Sequence, residues 1–220
     1  MAKSSIIRDL ASGDTSVEVA LNRLYVIAHD LGNQSLISWI EKELNGYKKD
    51  DSLPDYRIIK GLFIRGSGIN GAYKVTNQPI PITYFPEEFR DEIVTTKIYD
   101  GIKAFDKYIT EKQSFGRDLT FSAGYIAQTT GIQYVSIEGI INKSEIINIL
   151  STVKTKVLKS LISLEKEFGN LDGLDINTNE IPSTKLELIN EQVTSIVFDN
   201  SVNIGDNNKI GKSKFFARGK

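Results

Sequence analysis

The stretch from Leu21 to Arg57, LNRLYVIAHDLGNQSLISWIEKELNGYKKDDSLPDYR, leaves the chain little choice: it encodes two helices, a stop signal for each and a charged exit loop. Thr15 and Glu18 match a T-x-x-E capping box, in which the hydroxyl and the carboxylate satisfy amide donors left open in a first helical turn. Apolar residues then recur at Val17, Ala20, Leu21, Leu24, Ile27, Ala28 and Leu31. One stripe therefore faces a core, and Asn22, Arg23 and Asp30 face water. Gly32 and Asn33 supply a left-handed stop. A second helix from near Ser35 sets Leu36, Ile37, Ile40 and Leu44 on one side with Trp39 beside them, and ends at Asn45-Gly46 by the same device. Two short antiparallel helices are expected.

Beyond the acidic pair Asp50-Asp51 the pattern becomes mixed. Tyr56 to Ile64 is β-branched and aromatic and predicts a strand. A second strand is expected between Ala72 and Thr83, with Pro79 and Pro81 putting its far end at a sheet edge, where a missing donor does little harm. Phe85-Pro86-Glu87-Glu88 starts a helix or turn, and Ile98, Ile102, Phe105 and Ile109 predict a helix over 98–109. The pieces LTFSAGYIA and IQYVSIEGII, separated by Thr129-Thr130-Gly131, read as short strands. Ser144 is placed to cap the longest helix, whose apolar residues Ile146, Leu150, Val153, Val157, Leu161, Leu164 and Phe168 approximate a heptad seam. A partner helix would suit that seam. Leu158 and Ile162 broaden the stripe, which favours packing across the chain's own sheet. Gly169 ends the helix.

From Asn170 the composition turns to Asn, Asp, Gly, Thr and Pro182, a linker chemistry carried to residue 190. In SIVFDNSVNIGDNNKIGK, apolar residues step by six from Ile196 to Val202, from Phe198 to Ile204 and from Ile204 to Ile210. This pattern resembles β-helix or β-prism rungs, which cannot bury their apolar side alone. Residues 191–211 are accordingly expected to self-associate through Ile196, Phe198, Val202, Ile204 and Ile210, for instance as a trimer. The competing reading is a hairpin turning at Asn207-Asn208 and docked on the globular part. Lys209, Lys212, Lys214, Arg218 and Lys220, with Phe215-Phe216 among them, form a basic aromatic end that could touch nucleic acid or simply be solvated.

The order helix, Leu-Gly-Asn, W-I-E-K-E-L, N-G-Y, then an acidic loop with L-P-D-Y-R resembles the AbiTii domain of bacterial abortive-infection and other antiphage proteins. The resemblance runs on to LEKEFG at Phe168-Gly169. It implies a setting, defence against phage, and a co-encoded defence protein or phage component as partner. The matching residues look like fold-specifying sequence and carry no catalytic signature.

The residues offer little else for turnover. His29 is the single histidine and cysteine is absent, so Ser-His-Asp, Cys-His and H-E-x-x-H arrangements would all rest on one boundary residue. Gly66-Ser67-Gly68-Ile69-Asn70-Gly71 fits G-x-G-x-x-G, but a strand and not a helix is expected to follow, so a flexible hairpin loop is the better account, with Arg65 and Lys74 as a weak anion contact. Asp50, Asp51, Asp55, Asp91 and Glu92 could hold magnesium for nuclease work, yet no (D/E)-x-K strand follows Pro54-Asp55. Tyr56 and Arg57, with Asp55, are better suited to pinning the loop to the sheet edge. A net charge of −1 demands neither nucleic acid nor an anionic membrane. No segment approaches the roughly 20 apolar residues needed to span a bilayer, and a cytoplasmic location is expected.

The expected fold is α+β: an N-terminal helical hairpin, a central mainly antiparallel sheet and a long closing helix over 1–169, a linker over 170–190, and a β-rich tail over 191–220. The expected function is that of a non-catalytic, self-associating assembly or sensor module in phage defence, with no catalytic residue, metal or cofactor. The alternative is a toxic effector that binds or cleaves nucleic acid.

Overall fold

The expected helix pair is formed by α2 (Val17–Asp30) and α3 (Gln34–Asn45). In the computed structural model, which describes residues 3–110, 115–174, 176–178 and 181–198, these helices lie against α7 (Lys143–Phe168) and α8 (Ser183–Phe198). The cap of α2 is one residue later than the capping box predicts: Ser16 Oγ accepts from the Val19 amide at 3.2 Å. Thr15 instead donates its amide to the Asp9 carbonyl at 3.2 Å, because a helix not foreseen from sequence, α1 (Ser5–Ser12), ends immediately before it. Asn33 caps α3, its side-chain oxygen accepting from the Leu36 amide at 3.0 Å.

Residues far apart in sequence secure α1 and α8. The backbone and hydroxyl of Ser4 donate to Glu165 Oε1, both at 2.6 Å, and those of Ser5 donate to Asp172 at 2.6 and 2.7 Å. Two carboxylates from the far end of the chain thus sit at the positive end of α1, where helix amides lack internal partners. At the other side, Asn33 Nδ2 donates to Asn190 Oδ1 and Thr194 Oγ1 at 3.2 and 3.1 Å, and Asn190 Nδ2 donates to the Leu31 carbonyl at 3.1 Å. The Leu-Gly-Asn turn is therefore a seat for α8 as well as a helix stop. Ile146, Ile149, Val153, Val157, Leu161 and Leu164 of α7 join α1–α3 and α8 in the larger core. The α7 stripe is used within the chain, but chiefly against helices α1, α2 and α8 and not across the sheet as expected, and its cap position is Asn142 and not Ser144.

Among the described residues, six strands make two antiparallel sheets. β1 (Ile58–Lys60) pairs with β4 (Thr95–Lys97), and β2 (Phe63–Asn70), β3 (Tyr73–Pro79), β5 (Phe115–Asp118) and β6 (Gln133–Ile141) form a sheet ordered β3-β2-β6-β5. One face of the larger sheet buries Ile64, Tyr134 and Ile137 under α4 (Glu87–Val94) and α6 (Ala123–Thr130), which contribute Ile93 and Ile126 to a second, smaller core. The fold is α+β, as expected.

Several local expectations fail for identifiable reasons. The strand expected over Tyr56–Ile64 is broken by a 3-10 turn at Asp55–Arg57 and by Gly61, whose φ is +79°. Of the helix expected over 98–109, only residues from Ile102 onward are helical, through a 3-10 turn into α5 (Phe105–Thr110). LTFSAGYIA is not a strand: Leu119 is followed by a 3-10 turn and then α6, whose Ile126 packs down onto the sheet, so tertiary burial overrides β propensity. Gly66 and Gly68 lie inside β2, and the turn is confined to Gly71-Ala72. The segment from Ser183 is not linker, and Leu171 and Ile176 are buried. The rung reading fails at residues 191–198, which are helical; Ile196 is buried, whereas Phe198 is exposed. Ile196 follows Ile189 and Val193 at helical spacing, and this period wins over the six-residue step. Val202, Ile204 and Ile210 lie outside the described residues.

The in-strand glycines are steric requirements. A Cβ on Gly68 would collide with the Gln133 carbonyl and come within 2.8 Å of Tyr134 Cα, whereas one on Gly71 would meet open space. Gly68→Ala should therefore lower stability by about 2 kcal/mol or more, against about 1 kcal/mol for Gly71→Ala, where only the positive φ is strained. Thermal melts of both variants check this order, and equal losses would contradict the strand register.

Candidate functional site

The residues of W-I-E-K-E-L-N-G-Y and L-P-D-Y-R converge on one place. On α3, Glu43 falls four residues after Trp39 and so shares the buried face of the helix. Gly46, at φ +99°, lets the chain leave α3 against the 99–101 segment; a Cβ there would stand 2.7 Å from the Tyr99 carbonyl. That carbonyl accepts the Tyr47 amide at 2.7 Å. The 3-10 turn at Asp55–Arg57 then brings Tyr56 and Arg57 back onto α3.

At the centre, Arg57 Nη2 meets Glu43 Oε2 at 2.6 Å and Arg57 Nε donates to Oε1 at 3.3 Å, with both side chains fully buried. The second carboxylate oxygen also accepts the hydroxyls of Tyr47 and Tyr56, each at 2.7 Å. Trp39 Nε1 donates to Tyr56 Oη at 3.1 Å. The remaining guanidinium nitrogen donates to the carbonyls of Ile98 and Asp100 at 3.2 and 2.7 Å. Tyr47 and Phe105 present their rings to the guanidinium carbon at 4.8 and 5.4 Å. Burial, and after it the Glu43 charge, push both phenols well above their ordinary range.

Above this network lies a cleft of about 640 Å³ between α3, the 52–56 loop and the end of α8. Ser35, Ser38 and Lys42 line one wall, Ser52 and Asp55 another, and Phe198 stands at its lip. Lys156 enters from α7, buried, with its ammonium 5.7 Å from the Tyr56 ring centre and donating to the Ile196 carbonyl at 3.3 Å. Asp51 is held by Lys42 Nζ and by the Lys48 amide, both at 2.7 Å, and the Lys42 hydrogen bond leads in lowering its pKa. The sealed Glu43 and Arg57 cannot meet a bound molecule. What the cleft presents is serine hydroxyls, Asp55, Lys156 and the Asp51-paired Lys42, set among the apolar Trp39, Leu53, Pro54, Val197 and Phe198.

The carboxylates weighed for metal binding do not converge. Asp91 and Glu92 sit on α4 in the sheet half, with Glu92 3.6 Å from Arg117, and among the described residues no group of three or more His, Cys, Asp or Glu is placed to hold a metal ion. His29 is exposed and meets the Tyr25 ring edge-on at 4.6 Å. Arg65 is paired across β2 and β6 with Glu138 at 3.1 Å, and Lys74 stands opposite Ile69, four residues further along β2 or about 13 Å away, so the two do not form one anion site. Lys209, Lys212, Lys214 and Arg218 lie outside the described residues. Tyr56 and Arg57 do pin the loop, but to Glu43 of α3 and to the 98–100 carbonyls instead of the expected sheet edge, and without the Asp55 side chain as a shown partner. Sequence reasoning missed Glu43 and Lys156, although both carry a legible sign: a charge on an otherwise buried helical stripe.

Arg57→Met leaves the Glu43 carboxylate buried with its tyrosine donors alone, and should cost about 3–5 kcal/mol in denaturant unfolding, while adding Glu43→Leu should recover part of the loss. Strictly additive losses would mean that the pair is not coupled. Both tyrosine pKa values are raised on folding, so the folded chain keeps protons that the unfolded chain releases; their contribution is complete below pH about 10 and fades as pH rises beyond it. Tyr47→Phe should make the alkaline loss of stability shallower, as measured by circular dichroism melts between pH 8 and 11, and an unchanged slope would remove Tyr47 from the network.

The AbiTii family profile matches residues 4–190, from the start of α1 into α8. No curated protein and no solved structure matched the chain. Among the described residues no helix is long and apolar enough to cross a membrane. The matched span takes in the helix pair, the buried Glu43–Arg57 network and both sheets, and the chain belongs to the AbiTii family of abortive-infection defence proteins.

Proposed function

We propose that this protein serves abortive infection as a non-catalytic assembly or sensor module, which self-associates through residues beyond α8 and contacts a phage or host component, or a co-encoded defence protein, with its globular part. The observation that carries this reading is how the ionisable groups are used. Glu43 and Arg57 are spent on holding α3, the 55–57 turn and the 98–100 segment together, and Asp51 is spent on Lys42 and the loop backbone. The side chains left facing the cleft are suited to holding a partner by hydrogen bonds and charge.

The end of α8 supports the assembly half of the proposal. Ile189, Val193, Ile196 and Val197 anchor that helix, and Phe198, 59% exposed, leads out to Val202, Ile204 and Ile210, apolar residues set among Asn, Asp and Gly. A cytoplasmic setting is part of the same proposal.

Ending the chain after Phe198 keeps every anchoring residue of α8. The shortened protein should retain its circular dichroism spectrum and melting temperature while its native mass by light scattering falls to that of a monomer. An unchanged mass would remove the assembly reading. In phage challenge the same truncation should lose protection, whereas Asp55→Ala should keep it; an Asp55→Ala protein that loses protection with mass and melting intact would favour the nucleic-acid effector instead.

A further inference from the structure

The outer surface of the sheet half carries an aromatic patch that neither core uses. Phe121 is 70% exposed, Tyr125 46%, Phe89 40% and Tyr84 37%. Phe89 and Tyr125 touch, with ring centres 6.0 Å apart, which joins α4 to α6 at this surface. Phe121 lies one helical turn before Tyr125, and the 3-10 turn that bears Tyr84 packs on α6. Aromatic groups gathered in this way outside a core, with Phe89 and Tyr125 in contact, are the usual anchors of a protein interface.

The surroundings of the patch specify charge. Helix α4 reads EEFRDEIV, and its acids Glu87, Glu88, Asp91 and Glu92 are all exposed around Phe89. Arg90, the cation within the helix, is turned away onto the carbonyls of Phe85 and Thr83 at 3.0 and 3.3 Å. Arg117 offsets Glu92 at 3.6 Å, leaving Glu87, Glu88 and Asp91 without an ion pair among the described residues. The patch therefore calls for a partner that is both basic and apolar. The sequence contains one: Lys209 to Lys220, KIGKSKFFARGK, has five cations, the Phe215-Phe216 pair and no acid.

We propose that the acidic aromatic patch of α4 and α6 is the docking surface for the basic C-terminal segment, Lys209–Lys220, of a second copy of this chain. The inference rests on the self-association reading above and gives it an acceptor site. Complementary charge brings the segment to the helix pair, and ring contact with Phe121 and Tyr125 holds it there. Repetition of the contact from copy to copy joins tail to body, so assembly grows head to tail or closes into a ring.

The absence of native cysteine allows a direct test in the full-length chain. Gln128→Cys, exposed one turn beyond Tyr125 on α6, is combined with Ser213→Cys and oxidised mildly; the reference protein carries Asn22→Cys, exposed on α2, with the same Ser213→Cys. Disulfide-linked multimers should form about five-fold faster from the first pair than from the second on non-reducing gels, and adding Glu87→Lys with Asp91→Lys should abolish the excess. Equal rates, or a disulfide confined within single chains, would overturn the proposal. Light scattering of the unsubstituted protein separates the two levels: a monomer overturns the assembly reading and this one together, whereas a multimer with no preferential trapping overturns the docking site alone.

Discussion

Burying a carboxylate and a guanidinium costs several kcal/mol for each ion, and attraction between them repays this only when the remaining hydrogen-bonding capacity of both is met. The Glu43–Arg57 pair meets that condition with groups drawn from separate parts of the chain. Two tyrosine hydroxyls complete the carboxylate, two backbone carbonyls complete the guanidinium, and rings cover its faces. Each donor and acceptor fixes the position of the segment that bears it. The acidic loop after α3, the 55–57 turn, the antiparallel pair β1–β4 and the entry to α5 are therefore placed by one ion pair, and the cleft above it inherits its shape from the same contacts.

This dependence explains what could be read beforehand. Helices α2 and α3 were legible because their periodicity, caps and stops are local, and β3 and β6 because their β-branched runs end at turns. The courses of residues 55–61 and 95–105 were not, since they answer to a guanidinium seeking the Ile98 and Asp100 carbonyls some forty residues on. Nor was α6: the residues of LTFSAGYIA suit a pleated surface, but the sheet already has its strands and needs a lid. The glycines of Gly66-Ser67-Gly68 mislead in a related way. Their spacing suggests a loop open to phosphate, and their cause is the close approach of Tyr134 and Gln133 on β6. For the site itself, Trp39, Tyr56 and Arg57 stand out as a motif, while Glu43, which Tyr56 and Arg57 both bind, is disguised as one more polar residue in a helix.

The two ends of the matched region are joined by polar contacts and not by apolar burial alone. Glu165 and Asp172 receive the first turn of α1, and Asn33 receives α8 through Asn190 and Thr194. Contacts this distant in sequence make the helical half cooperative, because α7 cannot shift without disturbing α1, α2 and α8 together. α7 also carries Ser160, whose buried hydroxyl has no hydrogen-bond partner among the described residues, one turn beyond Lys156. A small side chain at that point lets neighbouring helices approach, and the unmet hydroxyl is a cost that the surrounding packing offsets.

The location of Lys156 connects this rigidity to the cleft. Its ammonium is buried at the seam between α7 and α8, against the Tyr56 ring and the last turn of α8, so it touches both the network beneath the cleft and the helix that leads to the tail. A partner that pulled at the cleft lining would act on Tyr56 and on the Ile196 carbonyl through one side chain. Coupling between recognition and assembly needs a shared element whose arrangement both can bias. Under the proposed function, the α8 terminus, held by apolar residues on one side and by Lys156 on the other, is the element placed to serve that role.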